Sequence, residues 1–310
     1  MIKKVSILFI VISLFFWGLA IRHYEIYPIN EIRFIKHKIL FKFSNNNIST
    51  NKCFEKLRSN NDDEKKIYKN VLIVGHAYGD PYGLNNGIYP KLINHLNDQQ
   101  QKWDYIISAG DSVRVASRSN FVLVSKQLKK FSNNVIFVPG NHDIGKIDND
   151  FKLGTNIFLK EFKTLFNYIK IDDTLIFTIN TNNKKWNVDE TQKLKIKKII
   201  EKNYNSKNII IISHQIMWIN KFNNSVLPNK AYPKDMTNNF NEFENSLKIY
   251  NKNLYFISGD VGALIHRSHT FCKSYGNTTY IATGMGSRLY DNYLTIKIYD
   301  KILNINKKTF

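Results

Sequence analysis

The feature that most constrains this chain is a series of short, unbroken apolar runs. They are VLIVG ending at Gly75, YIISAG at Gly110, NVIFVPG at Gly140, TLIFTIN at Asn180, NIIIISH at His214 and LYFISG at Gly259. Each is rich in β-branched residues and apolar on consecutive positions. A strand that is apolar on both faces has to be covered on both, as in the central sheet of an α/β protein. Between the runs, YPKLINHLNDQQQ, NFVLVSKQLKKF and DETQKLKIKKIIEKN carry apolar residues at three- and four-residue steps, the period of an amphipathic helix. The alternation predicts an α/β fold. The last segments, TTYIATG and YLTIKIYD followed by KILNINKK, read as a strand pair or hairpin closing a second sheet. There is no internal repeat.

A chain of 310 residues that is 43% hydrophobic has enough apolar side chains for a full core, which excludes a disordered protein. Lys+Arg is 45 against Asp+Glu 25, a formal net charge of +20. Such an excess fits anionic surroundings: phospholipid, nucleic acid or phosphorylated substrates. It fits equally a general drift towards Asn, Lys and Ile, because the charge is diffuse and no Lys/Arg block marks a nucleic-acid site. The two cysteines, Cys53 and Cys272, lack the C-x-x-C spacing of a thiolate metal site. They are compatible with one disulfide in an oxidising compartment or with two free thiols.

The N-terminus carries an uncharged, mostly apolar run from Val5 to Ile21, with Lys3 and Lys4 before it and Arg22 after it. Its length is near the lower limit of about 17 residues for crossing a bilayer. The GLA before Ile21 also suits signal-peptide cleavage. Trp17 at the end of the unbroken run favours an uncleaved anchor, and the lysines at the short N-tail favour an exported domain. The expected organisation is therefore an anchor or signal segment over 1–22, a polar juxtamembrane connector over 23–68 containing SNNNISTNKC and SNNDDEKK, and a globular domain over 69–305.

In open α/β folds, ligands bind beyond the carboxyl ends of the strands. Here those ends read GHAYG, AGDS, PGNHD, SHQ and SGDVG. Gly-Asp and Gly-Asn are common turn dipeptides, and a single His after a strand is ordinarily a core residue. Five polar ends in succession are harder to attribute to turns. Oxygen ligands mixed with imidazole suit Mn, Fe or Zn.

The order of these motifs resembles that of the calcineurin-like metallophosphoesterase superfamily, whose pattern is D-x-H, G-D, G-N-H-D/E, a lone His and G-H-x-H, each after a strand. PGNHD preceded by AGD at a spacing usual for that family is the specific part. The resemblance implies a four-layer αββα sandwich and one or two divalent metal ions. It places Asp111 as the bridging ligand, with Asn141, His214 and Asp260, the last standing where the family has His, completing one site. In the other site, His76 stands where the family has Asp, Tyr78 where it has His, and Gly262 where it has the last His. Tyr78 is a candidate ligand as phenolate, and His266 or His269 could supply a missing imidazole.

The resemblance further implies metal-dependent hydrolysis of a phosphoester by a metal-held hydroxide, with His142 as general acid towards the leaving oxygen. Asp143 would orient His142 or cap the following turn. Arg114 would hold a phosphate oxygen with its fork of donors, or be a solvated helix residue. The expected partners are a phosphorylated substrate, lipid-linked or envelope-derived, and the membrane through the N-terminal segment. Two other readings remain. One is a non-catalytic binding protein on the same scaffold, suggested by the altered first and last motifs. The other is a GDS-type serine esterase with Ser112 as nucleophile, which the absence of an Asp-x-x-His near the C-terminus disfavours.

Overall fold

A computed structural model describes residues 48–58, 69–80, 85–145, 150–183, 186–222, 235–262, 270–286, 291–299 and 302–310, besides positions 13, 14 and 17. Contacts divide the chain into residues 1–44 and 45–310, and every element named below belongs to the second unit.

The apolar runs form strands β1 (Lys69–Val74), β2 (Tyr105–Ala109), β3 (Val135–Val138), β5 (Thr174–Thr178), β6 (Asn208–Ser213) and β7 (Asn253–Ser258). Added to these are β4 (Asn167–Ile171), β8 (Thr270–Tyr275), β9 (Thr278–Thr283), β10 (Asn292–Tyr299) and β11 (Ile302–Thr309). They make two sheets, ordered β11-β10-β1-β2-β3 and β4-β5-β6-β7-β9-β8. Strands β1, β2 and β3 are parallel, as are β5, β6, β7 and β9, whereas β10, β11, β4 and β8 run antiparallel to their neighbours.

Why the runs are unbroken is visible in where alternate residues go. Successive side chains of a strand point to opposite faces. Val71 and Ile73 of β1 and Ile210 and Ile212 of β6 share one buried cluster that contains residues of both sheets. Leu72 and Val74 of β1 pack instead with helices α2 (Pro90–Gln99), α3 (Arg118–Leu128) and α5 (Asp150–Phe162). Ile209 and Ile211 of β6 pack with α6 (Glu190–Lys202) and α7 (Asp235–Lys248). Each sheet thus has one face against the other sheet and one against helices, so a polar residue on either face would be buried.

Two expectations change. TTYIATG and YLTIKIYD do not pair with each other. The first is β9, inside the second sheet; the second is β10, which forms a hairpin with β11 and extends the first sheet beside β1. The reason is that β10 finds an open edge at β1, while β9 is held between β7 and β8.

The stretch expected to be a connector contains helix α1 (Ile48–Lys56), which is tied to the domain. Cys53 is disulfide-bonded to Cys272 of β8, with the Cα atoms 5.6 Å apart. Ile305 N–H of β11 donates to Leu57 O at 3.2 Å. Among the described residues no helix is long and apolar enough to cross a membrane. The expected anchor over 1–22 lies outside the described residues apart from positions 13, 14 and 17.

Candidate active site

The polar strand ends converge. His76 follows β1, Asp111 follows β2, and β3 runs into a short helix α4 (Asn141–Ile144). From the second sheet, His214 follows β6 and Asp260 lies just past β7. Parallel neighbours in register deliver their carboxyl ends to the same edge, so five loops meet there. His76 and Asp111 hold left-handed backbone, with φ of 51° and 53°. That conformation costs a non-glycine residue about 1–3 kcal/mol and is tolerated where the surroundings over-determine it, as at functional sites.

At the centre, Asp111, His214 and Asp260 each offer a ligand atom, all within 4.8 Å of one another and all buried. His214 Nε2 lies 3.3 Å from Asp111 Oδ1 and 3.5 Å from Asp260 Oδ1. The other ring nitrogen, Nδ1, is 3.1 Å from Ala109 O, an arrangement in which Nδ1–H donates and the Nε2 lone pair is left to face the carboxylates. Burial raises the Asp111 pKa, but His214, His142 and His76 outweigh it and hold the carboxyl well below its usual range.

Asn141 is the first residue of α4, and its side-chain Oδ1 is buried without a hydrogen-bond partner. A buried amide oxygen left this way costs about 1–3 kcal/mol. A cation would satisfy it. The donor set, two carboxylates, one imidazole and one amide oxygen, suits Mn, Fe or Zn. Two carboxylates and an imidazole converging within 4.8 Å in a buried place are the kind of donor set that binds a metal ion. The residues present therefore fit a divalent cation.

The PGNHD loop is fixed to Asp111 by its own backbone. His142 N–H donates to Asp111 Oδ1 at 3.0 Å. A Cβ on Gly140 would lie 2.3 Å from Asp111 N and Oδ1, so only glycine allows this approach. Asp143 is wholly buried and accepts from Ser112 N (2.9 Å), Val113 N (3.1 Å) and Gly140 N (2.9 Å). Of the two roles expected for Asp143, these contacts are those of the cap: its carboxylate staples the loops after β2 and β3 together. Burial, and then the Asp111 charge, push its pKa up to about 7 against the lowering effect of the backbone amides.

His142 is half-buried, and its Nδ1 is 2.7 Å from Arg114 O. Its other ring nitrogen, Nε2, lies 3.5 Å from the Tyr78 hydroxyl. Burial raises the Tyr78 pKa, with Asp111 adding to the effect. Tyr78 thus places its hydroxyl beside His142, and its ring centroid lies 4.4 Å from that of His76. Arg114 Nη2 donates to Asp80 O at 2.7 Å, and the guanidinium lies 5.8 Å from the Tyr78 ring centroid. Its Nε is buried without a partner.

Two of the departures from the family pattern, at 76 and 262, are neighbours. A Cβ on Gly262 would come 2.2 Å from Cγ of His76. The His76 ring, whose Nε2 is 3.8 Å from Asp111 Oδ2, thus fills the space that a side chain at 262 would enter. One imidazole enters from the first motif while the last motif makes room for it. His266 and His269 lie outside the described residues. Ser112, the serine of the esterase reading, is buried with its Oγ 2.7 Å from Ser108 Oγ, so it is not presented to a substrate.

A supporting layer escaped the sequence reading. Asn182 Nδ2, just past β5, donates to Gly140 O at 3.1 Å, and Gln215 Nε2 donates to Asn182 Oδ1 at 3.0 Å. Their amides brace the loop that carries Asn141. In a chain this rich in Asn, the INTNN stretch gives no signal of that role.

The calcineurin-like phosphoesterase family matches residues 76–256, which begin at the first of these site histidines and end within β7. Comparison with curated proteins gives no match. Among solved structures, the solution NMR structure of Thermotoga maritima protein TM1076 aligns at 11% identity. The alignment covers 78% of this chain and 99% of that one with a TM-score of 0.33, and no structural argument follows from so low a score. The convergent strand ends and the extent of the family match agree: this chain belongs to the calcineurin-like phosphoesterase family.

Proposed function

We propose that the chain hydrolyses a phosphoester at a divalent cation held by Asp111, Asn141, His214 and Asp260. The observation that carries this reading is the buried Asp111–His214–Asp260 cluster, to which the loop bearing the unpartnered Asn141 oxygen is hydrogen-bonded through His142 N–H and Asp111. When bound there, a divalent cation supplies Lewis-acid charge for a phosphoryl oxygen and acidifies water. The protein groups do the rest. His142, oriented by Arg114 O, gives a proton from Nε2 to the leaving oxygen. Tyr78 hydroxyl supports that nitrogen, and Arg114, which lines the cavity beside His142, offers its guanidinium to a phosphoryl oxygen. Asp143 keeps the two loops in register. The two sheets with helices on their outer faces are consistent with the αββα sandwich expected of such an enzyme.

A second reading, a non-catalytic binding protein, draws on the His76 and Gly262 exchange: position 262 supplies no side-chain donor beside His76 and the other oxygen of Asp111. The test uses the full chain with Mn and p-nitrophenyl phosphate or bis-p-nitrophenyl phosphate. Release of p-nitrophenol that is lost with chelator and in Asp111→Asn supports hydrolysis. Metal binding with no release from either ester favours the binding-protein reading.

For location, the Cys53–Cys272 bond supports an oxidising compartment, which accords with export of the domain behind the apolar N-terminal segment. A lipid-linked or envelope phosphoester is the substrate class that such a location favours.

A further inference from the structure

The reading above leaves the leaving group undefined, and a cavity beside His142 speaks to it. This cavity, about 360 Å³, is lined on one side by Arg114, Asn141 and His142 and on the other by Val115, Ala116, Leu153 and Ile157. It sits within the size range of small-molecule sites. Its aliphatic side chains come from two places: the loop after β2, and the face of α5 on which Leu153 and Ile157 lie one turn apart. Helix α5 reaches the site because of Gly154, where a Cβ would fall 2.6 Å from the Ile144 carbonyl. That close approach sets Leu153 and Ile157 against the His142 loop.

Val115 and Leu153 are 60% and 61% exposed. A single exposed aliphatic residue needs no explanation. These two line one cavity, and that cavity shares a wall with the proposed acid and a proposed ligand.

We infer that this cavity receives the leaving alcohol of the substrate, and that the alcohol is aliphatic next to the ester oxygen. The inference rests on the proposed phosphoester chemistry: the group that takes the proton from His142 must lie on the side of His142, and there the cavity sets an aliphatic wall opposite His142, Asn141 and Arg114. A sugar or glycerol alcohol would bring hydroxyls against Val115, Leu153 and Ile157, which offer no side-chain hydrogen bonds.

The experiment is calorimetric titration of the full Mn-loaded chain with n-alkylphosphonates from methyl to octyl. These are uncleavable, and their chain takes the place of the leaving alkoxy group. Affinity should rise roughly three- to fourfold per methylene over the first several carbons, the increment for burying a methylene. Leu153→Asp should flatten the series. Leu194→Asp, an equally exposed leucine on α6 behind the other sheet, should leave the slope as it is.

Methylphosphonate binding with no dependence on chain length would overturn the inference and leave the phosphoesterase reading standing. A slope that survives Leu153→Asp, or that persists after the metal is removed, would also overturn it. Failure of every phosphonate to bind would overturn both readings.

Discussion

At the scale of single residues, the groups proposed to hold a cation are distinct from the one proposed to move a proton. Asp111→Asn removes the anionic ligand at the centre of the cluster, so metal binding and hydrolysis should disappear together. His142→Ala should leave metal affinity within a few-fold of wild type while lowering kcat about 10²- to 10⁴-fold, the usual contribution of a general acid. Titration calorimetry beside steady-state kinetics distinguishes the two. Gly140→Ala forces a methyl group against Asp111. It should cost about 1–3 kcal/mol in urea unfolding and weaken metal binding, because the loop must retreat from its ligand. Most of these residues could be read from the sequence, since each follows a small residue at the end of an apolar run. The exchange between His76 and Gly262 could not. Sequence alone shows one histidine gained and another lost, and only the packing of two loops distant in the chain reveals that one ring occupies the other's space. Asn182 and Gln215 were silent for a different reason: their work is hydrogen bonding between amides, which leaves no pattern of spacing.

At the scale of elements, the strands were legible and several helices were not. Helix α5 carries Gly154 in its interior and α7 is rich in Asn, both poor helix formers that tertiary packing overrides. Helix α1 reads as linker because its few apolar residues, Cys53 and Phe54, are buried only through the disulfide to β8 and the cluster between the sheets. Removing that bond by Cys53→Ser should lower stability by about 2–5 kcal/mol, and dithiothreitol should do the same to the wild type but not to the variant. Helix α7 brings a titratable prediction. Its Glu244 is buried beside Lys221, Lys248 and Tyr280. Burial alone would raise its pKa, but those three hydrogen bonds lower it below the ordinary 4.5. A depressed carboxylate stabilises the fold at pH values above its unfolded pKa, and the contribution is lost as pH falls through the folded value. Glu244→Gln should therefore destabilise the protein near pH 7 and flatten the fall in stability below about pH 4.5, measured by urea unfolding across pH.

At the scale of the whole molecule, the site joins the two sheets. Asp111 and Asn141 come from the first sheet, His214 and Asp260 from the second, and the apolar layer between the sheets lies beneath them. The α/β class followed from the unbroken strands, but the assignment of β9 and β10 to different sheets did not, because local pattern carries no information on which edge a strand joins. A cation bound across the sheets should stabilise the domain as a unit, since it binds the folded arrangement and not the separated strands. The most direct test of the central claim is elemental analysis of the full chain, dialysed after loading with Mn, beside Asp111→Asn treated in the same way. The account predicts one bound divalent cation per wild-type chain on the Asp111, Asn141, His214 and Asp260 donors, and none in the variant. A wild-type chain that retains no metal, or a variant that retains as much as the wild type, would contradict it.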